Sequence, residues 1–179
     1  MILYMVRHAS AGESVSNPKK DEKRPLDADG IEQCGLMGRT LAALDVQPEV
    51  IISSPLKRAT QTASLIGNEL GYEGKLQLES AMRPEASFAD FRRMLEKYAR
   101  QEAVMVVGHN PSITEFLARI ITKSGSEALI EFKKGAAARV ETVRHAARLN
   151  WFLTPKMARA IQAAAATAAE RSHPKTTRK

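Results

Sequence analysis

Apolar residues in this chain follow two periods that alternate for most of its length. Residues 1–6 are an unbroken apolar run, too short for a stable helix and typical of a strand buried on both faces. A strand at the sheet centre is predicted there, and residues 50–52 and 103–107 read the same way. Between these runs the spacing is helical. Ile31, Cys34, Met37, Leu41 and Leu44 follow Asp27 and Asp29, which are placed to cap a helix. Ala59, Thr62, Ala63, Ile66 and Leu70 form a second stripe that stops at Gly71. Phe88, Phe91, Leu95 and Tyr98 form a third, and Ile113, Phe116, Leu117, Ile120 and Ile121 a fourth, with Pro111 near its first turn. Gly35 and Gly38 weaken the first helix by roughly 1 kcal/mol each relative to alanine, a cost whose expected return is close approach to the sheet. A minor strand is expected at residues 76–78. Residues 9–23 turn polar, with Gly12, Asn17 and Pro18, and read as an exposed loop over the mouth of a crevice.

Beyond Ser124 the period changes to two. Leu129-Ile130-Glu131-Phe132, Ala138-Arg139-Val140-Glu141 and Arg148-Leu149-Asn150-Trp151-Phe152 read as strands joined in hairpins through Lys-Lys-Gly and His-Ala turns. The β and α alternation before them predicts a three-layer α/β/α sandwich, mostly parallel, with antiparallel additions at the edge. Residues 157–170 are alanine-rich, with high helix propensity and little to bury, and the last residues read as disordered. One domain over residues 1–155 and a basic tail over residues 156–179 are expected, without internal repeats.

Composition narrows the class. A hydrophobic content of 44% in 179 residues fits one globular domain with a proper core. No apolar run approaches the ~20 residues of a membrane span. The amino terminus enters a strand directly and a lone Cys34 allows no internal disulfide, so a reducing cytoplasm is the expected setting. The net charge of +7 is uneven: residues 155–179 hold six basic residues against Glu170, leaving +2 for the rest. No aromatics interleave the tail's charges, so nucleic-acid binding is disfavoured.

Candidate chemistry sits just past the predicted strands. Arg7-His8 follows the first, Ser54-Pro55-Leu56-Lys57-Arg58 the second, and Gly108-His109-Asn110-Pro111 the strand at residues 103–107. In an open α/β sheet, residues beyond the carboxyl ends of strands converge on one crevice. Guanidinium groups match phosphoryl oxygens through paired, charge-assisted hydrogen bonds. A neutral imidazole can attack phosphorus, and the neighbouring guanidinium charges are expected to keep it neutral. A second imidazole can bond a phosphoryl oxygen as charge shifts. Free amides at the starts of the helices after Ser54-Pro55 and Asn110-Pro111 can add to the anion's field.

At these positions the chain resembles the histidine phosphatase superfamily, also called phosphoglycerate mutase-like. Arg7-His8 is similar to its opening motif, Ser54-Pro55-Leu56-Lys57-Arg58-Ala59-Thr60-Gln61-Thr62 to its Ser-Pro-x-x-Arg-Ala-x-x-Thr motif, and Gly108-His109 to its Gly-His motif. Arg24-Pro25-Leu26-Asp27, Gly108-His109-Asn110-Pro111 and Trp151-Phe152-Leu153-Thr154-Pro155 resemble the small SixA-type phosphohistidine phosphatase branch. The resemblance implies a phosphoglycerate mutase-like fold, His8 as a transiently phosphorylated nucleophile, and Arg7, Arg58 and His109 as a pocket for phosphate or another tetrahedral anion. It also implies no metal and no cofactor. Ala9 departs from the usual glycine, and its methyl restricts positive φ. Met82-Arg83-Pro84 stands where larger relatives carry a proton-donating Glu. An alkoxide leaving group needs such an acid, whereas a phosphohistidine ring already protonated at its other nitrogen does not.

The expected function is therefore a cytoplasmic phosphohistidine phosphatase acting on a phosphohistidine-bearing protein, such as a phosphotransfer domain. Its rivals are a broad phosphomonoesterase for small metabolites and a non-catalytic module that grips phosphoprotein without becoming labelled. Ser14, Asn17 and Ser112 are further candidates for substrate contact. Glu85, and after it Glu13, are candidate acids, although each alone reads as a surface carboxylate. His145 and His173 read as solvated, and Cys34 as packed rather than reactive.

Overall fold

The computed structural model describes residues 1–122, 128–143 and 146–172. Six strands form one sheet: β1 (Ile2–Arg7), β2 (Val50–Ser53), β3 (Gln77–Leu78), β4 (Ala103–Gly108), β5 (Ala137–Val143) and β6 (Ala146–Leu153). Their order across the sheet is β3-β2-β4-β1-β5-β6, so β1 and β4 are central. β1 to β4 pair in parallel, while β5 and β6 add antiparallel at one edge.

The strands are apolar on both faces because helices cover both. Tyr4, Val6, Met105 and Val107 share a core with α2 (Ala28–Ala43), α3 (Lys57–Glu69) and α6 (Pro155–Ser172). Leu3, Met5, Val104 and Val106 face the other way, against α4 (Phe88–Lys97) and α5 (Ser112–Ile121). Burying each such side chain stabilises the fold by about 1.5–3 kcal/mol.

Several expectations need correction. A Cβ on Gly38 would lie 2.6 Å from Glu69 Cβ, so this glycine admits α3 against α2 and not the sheet. The polar stretch at residues 9–23 is not all loop. Asn17 accepts from Lys20 N–H and starts the short helix α1 (Pro18–Glu22), with Pro18 in its first turn. Leu129-Ile130-Glu131-Phe132 forms no strand. Phe132 is buried edge-on against Phe152, while its carbonyl bonds the side chains of Arg7 and Asn110 and so serves no ladder. The chain then turns at Gly135, φ 72°, into β5.

The alanine-rich segment does find something to bury: Ala158 packs into the core, Arg159 pairs with Glu32 at 2.8 Å, and Gln162 Nε2 donates to Leu36 O and Thr40 Oγ1. Cys34 is buried, which pushes its thiol up to about 11. His145 and His173 lie outside the described residues.

Candidate active site

The register of the central pair builds the floor of the site. Arg7 stands opposite Gly108 in the parallel β1–β4 ladder, so the next residues, His8 and His109, emerge side by side. His8 N–H extends the ladder to Gly108 O at 3.0 Å, and the two imidazole centroids lie 4.8 Å apart at 52°. Gly108 lets this strand end pass close to Met82: a Cβ there would meet Met82 Cε at 2.8 Å and Met82 O at 3.3 Å, so a larger residue would force the Met82 side chain to shift. Ala9 is accommodated: it is buried, has no positive φ, and donates its N–H to Thr62 Oγ1.

His8 Nδ1 lies 2.7 Å from the Ala9 carbonyl, which only accepts, so Nδ1 carries the hydrogen and Nε2 keeps the free lone pair. Arg7 donates Nη1 to Phe132 O at 2.7 Å. Arg58 enters from the first turn of α3, its side chain 7% exposed, and donates Nη1 to Asp21 O at 2.9 Å and Asp21 Oδ2 at 3.1 Å. Asp21 also accepts from Arg24 Nε and Val15 N, so α1 is lashed to the guanidinium it orients. A cavity of about 550 Å³ opens here, lined by Arg7, His8, Glu13, Ser14, Arg24, Arg58, His109, Asn110 and Lys134 among others.

Three buried polar atoms beside it have no hydrogen-bond partner among the described residues: Arg7 Nε and both ring nitrogens of His109. Leaving such groups unmatched costs about 1–3 kcal/mol each. A bound anion offers the acceptors that Arg7 Nε and one His109 N–H lack.

Burial holds His8 neutral, lowering its pKa to about 3; the charges of Arg58, Arg7 and Lys134 add to that, against the Ala9 hydrogen bond. Burial likewise takes His109 down to about 2, assisted by His8 and the arginines. Desolvation thus does more than the guanidinium charges expected to govern the effect. Asp21 is held at about 2, first by its Arg24 hydrogen bond, against burial, and further by Val15 N–H and Arg58.

A pH signature follows. The unfolded chain takes up imidazole protons below 6.5, while the folded histidines resist protonation until about 3 and 2. Between these values the unfolded state binds more protons, so their contribution is intact above 6.5 and is lost as pH falls. In thermal unfolding from about pH 7.5 to about pH 4, the decline in Tm is expected to be shallower for His109→Gln than for wild type. Parallel declines would contradict a buried, neutral pair.

The structure brings Arg7, His8, Arg58 and His109 together, with Ser14 at the cavity wall. It does not bring Asn17 or Ser112 to that wall. Asn17 caps α1, and the Ser112 hydroxyl is buried 3.0 Å from the carbonyls of Arg83 and His109. Glu85 lines another cavity, of about 500 Å³, and lies 3.7 Å from Arg83; the acid lining the cavity of Arg7, His8, Arg58 and His109 is Glu13. Sequence reasoning gives no site role to the side chains of Arg24, Asn110 or Lys134. Arg24 carries a signal in its Arg-Pro-Leu setting, Asn110 in its Gly-His-Asn-Pro context; Lys134 carries none beyond the turn residue after it.

An α/β sheet whose two central strands end in paired imidazoles beside two anchored guanidiniums defines a protein suited to phosphoryl chemistry. The profile of the histidine phosphatase superfamily, branch 1, matches residues 3–93. An uncharacterised protein of Picosynechococcus sp. is 32% identical over 123 residues, spanning 67% of this chain and 73% of that protein. Phosphohistidine phosphatase SixA of Escherichia coli K12 is 25% identical over 167 residues, spanning 90% of this chain and all of that protein. A solved structure of the protein histidine phosphatase SixA complexed with tungstate superposes with a TM-score of 0.77 at 23% identity, covering 87% of this chain and 98% of that one.

The chain belongs to the histidine phosphatase superfamily, and its relatives align it with the SixA-type branch. Its activity is that of a phosphatase. No helix among the described residues is long and apolar enough to cross a membrane.

Proposed function

We propose that this protein is a phosphohistidine phosphatase that works through a phosphoryl group carried on His8. The observation that carries the reading is the pair of buried imidazoles 4.8 Å apart on one cavity wall with Arg7 and Arg58, with the His8 Nδ1 hydrogen committed to the Ala9 carbonyl. His8 Nε2 attacks phosphorus as the P–N bond to the substrate imidazole breaks, and that ring leaves neutral, keeping the proton on its other nitrogen. Arg7, Arg58 and a His109 N–H bind the phosphoryl oxygens as charge builds on them. Water then attacks phospho-His8, the phosphoryl leaves as inorganic phosphate, and Nε2 regains its lone pair. Neither the protein's residues nor the step require an acid for an alkoxide.

The E. coli relative is a phosphohistidine phosphatase by name, and a phosphohistidine-bearing protein, such as a phosphotransfer domain, is the substrate this reading assigns. A second reading, hydrolysis of small phosphate esters, draws support from Glu13, an exposed side chain on the cavity wall that in its carboxylic acid form could hand a proton to a leaving alkoxide. Steady-state assays on phosphohistidine and on simple phosphate monoesters separate the two. The expected result is a kcat/KM at least about 10²-fold higher for the P–N substrate, unaffected by Glu13→Gln. Efficient ester turnover that collapses in Glu13→Gln would overturn it.

A further inference from the structure

The carboxylates and cations around the cavity are unequally matched. Asp21 is taken up by Arg24 and Arg58, and Glu22 by Arg83 at 2.8 Å. The charges lining the cavity beside α4 are paired: Glu79 with Lys97, Asp90 with Arg93, Glu85 near Arg83. Lys23, Lys57 and Lys134 differ. All three are exposed, and none has a carboxylate within ion-pair distance among the described residues.

Their places are informative. Lys23 and Lys57 line a cavity of about 460 Å³ with Glu22, Pro55 and Thr60, and each is the chain neighbour of an arginine, Arg24 or Arg58, on the phosphoryl cavity wall. The two cavities therefore share a flank built from the end of α1 and the start of α3, whose first turn carries no acidic residue. Lys134 joins from the segment before β5, on the phosphoryl cavity itself. Against these three stands, among the described residues, one uncommitted carboxylate on the same walls, Glu13. The mouth of the site thus keeps a positive surplus after its own acids are consumed.

From this we infer that Lys23, Lys57 and Lys134 form a docking rim for a protein whose surface beside its phosphohistidine is acidic. The inference rests on the phosphohistidine reading and adds the character of the partner. Rim charges of this kind act on encounter rate and its salt dependence more than on the chemical step, and they reach only about 8 Å at physiological ionic strength. The acidic residues must therefore flank the phosphohistidine directly. A protein fits better than a nucleic acid because neither cavity is lined by Phe, Tyr or Trp on which bases would stack.

The test uses two phosphohistidine peptides, identical except for Glu or Gln at the flanking positions. Wild type is expected to favour the Glu peptide by about 10-fold in kcat/KM at low salt, with the preference fading as salt rises. Lys23→Gln/Lys57→Gln should lose most of that preference while hydrolysing free phosphohistidine at the wild-type rate, and adding Lys134→Gln should remove the remainder. Equal kcat/KM for the two peptides, or a preference that survives all three substitutions, would overturn the rim.

Binding of both peptides to His8→Ala protein measures the same preference without turnover. A Glu preference in binding with no hydrolysis by wild type would therefore sink the phosphohistidine reading alone. Tighter lysine-dependent binding of a single-stranded oligonucleotide, or of phosphatidylserine vesicles, than of the Glu peptide would overturn a protein partner.

Discussion

His8→Ala is expected to lower turnover of phosphohistidine by about 10⁴-fold or more and to abolish phosphoryl labelling, while the protein remains folded. The size follows from the role: the imidazole makes and breaks the bonds to phosphorus, and the remaining pocket only binds. The substitution removes a buried ring whose one hydrogen bond among the described residues is to its neighbour's carbonyl, so circular dichroism should keep the wild-type signature while Tm falls only by the cost of the space left behind. His8→Ala protein should still bind phosphorylated substrate. This separates catalysis from the non-catalytic binding module, for which the alanine variant would match wild type in every assay.

Arg58→Ala carries the second largest effect, a loss of about 10²–10³-fold in kcat, or ~3–4 kcal/mol of transition-state stabilisation. Arg58 is held by Asp21 through Nη1, so its remaining N–H groups are oriented before substrate arrives and little reorganisation is needed. Arg58→Lys should recover only part of the rate, because an ammonium supplies a point charge and not a planar fork. Asp21→Asn provides the contrast. It leaves the guanidinium present but removes its ionic anchor and the anchor of Arg24, so KM should rise roughly 10-fold with a smaller change in kcat. An Arg58→Ala enzyme with wild-type kcat and KM would show that the phosphoryl group sits elsewhere.

The parts of this molecule that are legible in its sequence are those whose signal is local. Runs of apolar residues announce β1, β2 and β4, and the residues just past them mark the crevice, because strand ends in a parallel sheet converge whatever lies between. Two strands in register then place His8 beside His109 with no further information. What escapes depends on contacts distant in sequence. Asp21 looks like one charge in a solvated Lys-Lys-Asp-Glu-Lys cluster, and only the fold reveals that Arg58 lies against it, 37 residues away. Lys134 reads as half of a turn.

The alternation in Leu129-Ile130-Glu131-Phe132 is genuine as a pattern, yet Phe132 is buried for the core while its carbonyl binds Arg7, across 125 residues. Gly38 is legible as a cost but not as to its beneficiary, since α2 approaches α3 there. Charge alone anticipates neutral histidines, but the larger cause is burial, which composition does not show.

The central claim is a bond between phosphorus and one nitrogen of one residue. Its most direct test mixes the protein with a phosphohistidine-bearing donor, quenches in alkali within the first turnover, and locates the phosphoryl group by mass spectrometry and NMR of the peptide holding His8. A phosphoryl group on His8 Nε2 that forms and decays at rates matching turnover is the expected result. Phosphoryl on any other residue, or on His8 Nδ1, or steady turnover with His8 never modified, would contradict it.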